Sequence, residues 1–519
     1  MRPKERILKM NVTLKTVCRT ALAVFVIHSG ASAQTAAPPP AVEVLRVTST
    51  ADSGEGTLRW AIEKSNNATG QYRIEIVPDG LPPHTIKPLS LLPAIKGPVQ
   101  IEGMAWMRGG QFVAIDGGAI VPVQGEQTCP GSTPGQYGAN IRTTTLPGFA
   151  LVDTTGVEIS GIEIRNFCIG ILMHRASHNV VRDSRITSNR GGAGVMLTGD
   201  DGKGGSTATT TIHNKILRNL FVDNGDGMEL TRGAAFNLVA DNIFRSTPAN
   251  AEPSQGIEIL LGHDNVVTRN RFEGYSDGIQ INAGHRNDLS YNTFTDNTFG
   301  VSLTGNGNVI ANNDFQGNAV AIAVRPSALG TNSRISRNRM SGNGVKIERC
   351  RAGGSCDPNL QRGAIVFGLP GLEHVAYVGR RGIGLSPNPA TLFRICPDGA
   401  PNCQPPPNSG LAAPVLELVS SQSKKGLLVQ GRVDSAPYML HTIEIFGNSS
   451  ATSSEAEFYL GETTVVTDGD GKAGFSLVID AGSRRGNSPR SFTATATSGG
   501  GATSPLSSPV VVRNRRPSS

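Results

Sequence analysis

Aromatic residues are scarce: two Trp, seven Tyr and 17 Phe make up 5% of the 519 residues. Charged residues are also few, at 17%. Long hydrophobic runs are absent beyond the N-terminal segment, so no later stretch can span a bilayer and no membrane insertion is expected. Clusters of Lys and Arg that would mark nucleic acid are missing too. The formal charge of +7 overstates the basic character, because residues 1–33 hold six Lys/Arg and one Glu; the remainder carries 42 basic against 40 acidic residues, or +2. What is plentiful is glycine, 63 residues, or about 12%. That argues against a helical bundle, and regularly spaced Val, Ile, Leu and Phe argue against disorder.

The first 33 residues read as a secretory signal. Lys15 and Arg19 precede the apolar run Ala21-Leu22-Ala23-Val24-Phe25-Val26-Ile27, and Ala31-Ser32-Ala33 supplies a small-x-small cleavage site. Residues 34–41 follow as a Pro/Ala-rich linker, and a secreted or periplasmic location is expected. Cys18 leaves with the signal, so Cys129, Cys168, Cys350, Cys356, Cys396 and Cys403 remain. An even number in an exported chain favours disulfides over free thiols. Fifteen pairings are possible; the simplest joins Cys129–Cys168, Cys350–Cys356 and Cys396–Cys403. A zinc site would want a CxxC pair or a nearby His, and neither is present.

Between about 155 and 345 a unit repeats. A glycine followed by an aliphatic residue recurs at Gly170, Gly194, Gly227, Gly256, Gly278 and Gly300, with spacings of 24, 33, 29, 22 and 22. One asparagine column runs Asn219, Asn242, Asn270, Asn292, Asn313, Asn338, and two residues beyond each lies Phe221, Phe244, Phe272, Phe294, Phe315 or Met340. A second runs Asn179, Asn214, Asn237, Asn265, Asn287, Asn308. Units this short cannot close a core alone and must stack on their neighbours. The Phe column is predicted to line the interior. The asparagines are predicted at turns, where Asn tolerates left-handed backbone and its amide bonds the next coil. A leucine-rich repeat would show several fixed leucines per unit, and a propeller blade would be about twice as long. The pattern predicts a right-handed parallel β-helix over 42–400. Thr57–Ile62 reads as a short amphipathic helix that covers its first rung. After a Pro-rich linker at 401–410, alternating strands over 411–514 predict an immunoglobulin-like β-sandwich. The fold class is all-β.

The stretch Thr57-Leu58-Arg59-Trp60-Ala61-Ile62 resembles the SLREAI cap of bacterial exported right-handed β-helix repeat proteins. The repeats resemble the parallel β-helix family shared by pectate lyases and polygalacturonases, and the tail resembles the sandwich that often follows such helices. This resemblance implies a fold and a carbohydrate-active background. No pectate-lyase or polygalacturonase active-site motif is present to carry over.

In the strand after each repeat glycine, one column of side chains points away from the interior: Leu172, Met196, Glu229, Glu258, Gln280, Ser302. The position before each glycine reads Ile169, Ala193, Asp226, Gln255, Asp277, Phe299. Asp226, Glu229, Glu258 and Asp277 are thus predicted to gather on three consecutive coils, flanked by the irregular segments 199–205 and 247–253. Stacked carboxylates about 5 Å apart match the separation used by retaining glycosidases. They equally suit solubilising surface or a Ca²⁺ site. Glu229 and Glu258 are therefore the candidate catalytic pair, with Asp226 and Asp277 in support. Arg232, Lys203, Gln280 and the His263/His285 pair are the candidate substrate-binding groups. No cofactor is required by this reading; the same oxygens would suit Ca²⁺. The expectation is a monomeric exported protein that binds and cleaves a polysaccharide, a glycoside hydrolase rather than a lyase. The alternative is a non-catalytic surface or adhesion module.

Overall fold

The chain winds as the repeat predicts. The computed structural model describes residues 42–67, 69–103, 111–121, 129, 146–199, 208–250, 254–325, 331–345, 363–367, 407–421, 426–479 and 489–512. Three all-parallel sheets form a right-handed β-helix. Eleven strands from Glu43–Val47 to Thr331–Ser336 make the first sheet. Ten from Thr85–Ile86 to Arg339–Ser341 make the second, and nine from Pro147–Val152 to Gly363–Phe367 make the third.

The interior is a stack. Phe221, Phe244, Phe272, Phe294 and Phe315 lie in register on successive rungs of the second sheet, followed by Met340. Their ring centroids are 4.4–5.0 Å apart with planes within 10° of parallel, and none is exposed. That spacing is the rung repeat itself. The glycine column follows from it: a Cβ on Gly256 would sit 2.6 Å from Phe272 Cδ1 and 2.5 Å from the Gly278 carbonyl. Only a residue without a side chain lets the third sheet begin so close to the rings.

The asparagines form amide ladders at the corners. In one, Asn219, Asn242, Asn270, Asn292 and Asn313 each donate from Nδ2 to Oδ1 of the next Asn, at 2.9–3.1 Å. The Asn179–Asn308 column does the same. The turn chemistry differs from expectation. The left-handed residue is the one before each ladder asparagine (His213, Arg218, Asp241, Arg269, Arg286), while the asparagine itself is not left-handed. The ladder amide satisfies backbone groups that the corner leaves without a sheet partner, as Asn242 Nδ2 does for the Ile216 carbonyl at 2.8 Å. Left-handed residues on adjacent coils often carry opposite charges, as in Asp183–Arg218 and Asp241–Arg269, both at 2.7 Å. Being exposed, such pairs contribute about 0–1 kcal/mol each.

A third ladder escaped the sequence reading. Asn189 donates to Asn224, and Asn297 to Asn318 and on to Asn343. It lies at the corner that leads into the third sheet. Tyr275 stands in its middle: its N–H donates to Asn297 Oδ1 at 3.0 Å, and its ring is buried.

Both ends of the solenoid are covered. The helix Leu58–Asn66, capped by Thr57 Oγ1, buries Leu58, Ala61 and Ile62 in the same core as the first strand's Leu45 and Val47. At the other end sits a sandwich of two antiparallel sheets, with three and four strands and its own core of Val419, Val429, Ile443, Phe475 and Phe492. Phe446 and Ala456 from the sandwich join the solenoid core. Glu455 accepts from the N–H groups of Gly342 and Asn343, closing the third ladder. Asn408, from the predicted linker, is buried and holds both Ser333 and Thr503. Cys129–Cys168 forms as expected, with Cα atoms 5.7 Å apart. The other two cysteine pairs, the signal segment and the 34–41 linker lie outside the described residues.

Candidate functional site on the third sheet

Strand register brings the predicted carboxylates together. Met196, Glu229, Glu258, Gln280 and Ser302 face one another rung by rung on the third sheet. The neighbouring column places Ala193 beside Asp226, and Asp277 between Gln255 and Phe299. The Gln255 N–H donates to Asp226 Oδ1 at 3.2 Å and links the two halves of that column.

Exposure is where expectation and structure part. These side chains point away from the interior, yet Asp226, Glu229, Gln255, Asp277 and Gln280 are 0% exposed and Glu258 is 2% exposed. A solubilising surface is thereby excluded. Toward the N-terminal side the same outer face carries a small apolar cluster of Ile169, Leu172, Ala193 and Met196, separate from the interior core. The polar patch therefore begins where that apolar cover ends.

Carboxylate oxygens of Asp226, Glu229 and Glu258 lie within 4.8 Å of one another, close enough for all three to hold one divalent cation with oxygen ligands. Asp277 is set apart by its partners: Ser302 Oγ donates to Oδ1, and Ser276 Oγ to Oδ2 at 3.0 Å. Burial pushes its pKa up to about 6, against the pull of Ser302, of the positive Arg325 and of Ser276; Glu258 pushes it further up. A carboxyl that titrates near neutrality, enclosed among other acids, is suited to proton transfer.

Arg325 is a residue the sequence reading missed. It follows the strand Val320–Val324, is 1% exposed, and reaches back across two coils, where Nη2 donates to the Ile281 carbonyl at 3.1 Å and to Asn282 Oδ1 at 2.8 Å. Asn282 Nδ2 in turn donates to Gln280 Oε1 at 3.0 Å, next to Glu258 in the ladder. The periodic marker is lost on this coil because Ala321 stands where the preceding coil has Gly300.

Gln280 thus belongs to the patch. The two predicted histidines do not show the same placement. His263 and His285 do stack, with centroids 5.0 Å apart, but at the corner beyond the sheet, where His263 bonds Asp264 and Thr209. Arg232 lies just past the strand Asp226–Thr231 and is half-buried; its carbonyl accepts from the Gly199 N–H. Lys203 lies outside the described residues. Among the described residues, no helix is long and apolar enough to cross a membrane.

Comparison with known proteins adds to this geometry. Residues 135–343 match the family model described as "Periplasmic copper-binding protein (NosD)". Among solved structures, an exopolygalacturonase from Thermotoga maritima is 12% identical, covers 59% of this chain and 89% of its own, and has a TM-score of 0.38. DFA-IIIase from Arthrobacter chlorophenolicus A6 is 14% identical, covers 63% and 69%, and has a TM-score of 0.34. A protein of Acinetobacter baylyi named 3-dehydroshikimate dehydratase is 52% identical over 468 residues, which are 89% of this chain and 93% of that one. At that identity and coverage, the chain belongs to the family of this Acinetobacter dehydratase.

Proposed function

We propose that this protein removes water from a small hydroxylated ring keto acid of the 3-dehydroshikimate type, at the carboxylate patch of the third sheet. Two lines support the reading: the name carried by the 52%-identical relative, and the enclosure of the patch. The first carries most weight. Acids that are 0–2% exposed do not line an open groove of the kind along which a polysaccharide lies for cleavage.

Elimination of water needs a base for the proton next to the ring ketone and an acid for the departing hydroxyl. Asp277, with its pKa near 6, serves for both. It takes the proton from the carbon beside the ketone and passes it to the hydroxyl on the next carbon. The C–H and C–O bonds break, a C=C bond forms, and water leaves. Shift of a ring proton then yields the aromatic dihydroxybenzoate, without oxidant or reductant. Ser302 and Ser276 hold the carboxyl in place through the exchange. Asp226, Glu229 and Glu258 are the residues that would hold a divalent cation such as Ca²⁺; once bound, it would polarise the ketone and relieve the mutual repulsion of the three acids.

The test is conversion by purified mature protein. Incubation with 3-dehydroshikimate is expected to produce the ultraviolet band of a dihydroxybenzoate, while a panel of polysaccharides yields neither reducing ends nor unsaturated products. Reducing ends released from a polysaccharide, with 3-dehydroshikimate left unchanged, would refute the dehydratase reading in favour of the glycoside hydrolase expected from the sequence.

A further inference from the structure

The patch has a charge problem that its substrate would feel. Four buried acids, Asp226, Glu229, Glu258 and Asp277, share three coils, and a ring acid that enters brings a further negative charge. An anion is accepted in such a place only where a cation is fixed beside it. Among the described residues, Arg325 is the only Arg or Lys that is buried. It comes from a later coil and ends at the edge of the acid patch, anchored by the Ile281 carbonyl and by Asn282. Asn282 ties it to Gln280, the rung next to Glu258, so its position and that of the acids are fixed together.

We infer that Arg325 is the specificity residue of this site and receives the substrate's carboxylate, an inference that rests on the dehydratase reading. The planar guanidinium matches a carboxylate and keeps its charge when enclosed. Bound in this way, the acid group lies at the Gln280–Asn282 edge, beside the rung of Glu258. Arg325 makes the acid form of the ring the preferred ligand, and neutral analogues lose that advantage. A merely structural counter-charge for Asp277 would show no such preference.

The experiment compares 3,4-dihydroxybenzoate with 1,2-dihydroxybenzene, which lacks the carboxylate, by titration calorimetry on mature wild type, Arg325→Met and Arg325→Lys. Wild type is expected to bind the acid about tenfold to hundredfold more tightly, the range of a charge-assisted pair. Arg325→Met is expected to bind the two alike, and Arg325→Lys to fall between. If Arg325→Met does not fold, the Lys variant carries the comparison, with at least half of the logarithmic preference lost. Unchanged preference in the variants, or none in wild type, overturns the inference. The dehydratase reading fails separately, when wild type leaves 3-dehydroshikimate unchanged. Where turnover is seen, Arg325→Met raises KM by the same factor.

Discussion

Asp277→Asn offers a quantitative handle on the patch. Burial raises this carboxyl from its ordinary 3.8 to about 6. The difference corresponds to about 3 kcal/mol, at about 1.36 kcal/mol per tenfold change in proton affinity. Because the folded state holds the proton more tightly, stability is fullest below 3.8. It declines as pH rises toward 6 and reaches a plateau above that value. Asparagine does not ionise and so escapes this penalty. It also offers one acceptor oxygen where aspartate offers two, so one of the Ser302 and Ser276 bonds is weakened at a cost of about 1 kcal/mol. The variant is therefore expected to be about 1 kcal/mol less stable than wild type near pH 4 and about 2 kcal/mol more stable near pH 8. Urea midpoints measured at several pH values read the change of sign directly. Several probes should be followed, since stacked coils need not unfold as one unit. A stability difference that is flat between these pH values would refute the assignment of Asp277 as an enclosed, proton-bearing carboxyl.

Other perturbations test the frame around it. Phe272→Ala opens the ring stack between Phe244 and Phe294 and is expected to cost about 3–5 kcal/mol, read as a lowered thermal midpoint. Asn242→Ala removes the acceptor for the N–H and Nδ2 of Asn219. It should cost about 1–3 kcal/mol and raise amide hydrogen exchange at residues 216–245 above that of distant coils. Glu444, buried at the junction with the sandwich, has its pKa pushed up to about 7 by burial, against the Arg337 N–H that donates to it. Its ionisation above that value weakens the folded state, so Glu444→Gln is expected to be the more thermally stable protein at pH 8 but not at pH 5. Ca²⁺ added after chelation is expected to raise the thermal midpoint of wild type and not of the Glu229→Gln/Glu258→Gln protein; equal response of the two would remove the cation from the account.

The solenoid was legible because its constraints are periodic. Phe rings must stack, a glycine must precede the strand that passes them, and corner amides must bond along the axis. Each leaves a residue type at a fixed interval, and Glu229 and Glu258 become neighbours from that interval alone. Burial of the outer face was not legible, because what covers a sheet from outside is not written in the strand itself. Arg325 was hidden for a related reason: its guanidinium acts two coils from its own backbone, and Ala321 had erased the glycine that marks its strand. The sandwich's part in closing the solenoid was missed because Glu455, Ala456 and Asn408 act singly, at positions without a repeat.

Elimination of water from a ring acid by the enclosed acids of the third sheet is tested by turnover of 3-dehydroshikimate by wild type, Asp277→Asn and a corner variant such as His285→Gln. Wild type and the corner variant are expected to yield dihydroxybenzoate, with at least a hundredfold loss in Asp277→Asn despite an intact fold. Turnover by Asp277→Asn at the wild-type rate would refute the proposed role of the patch.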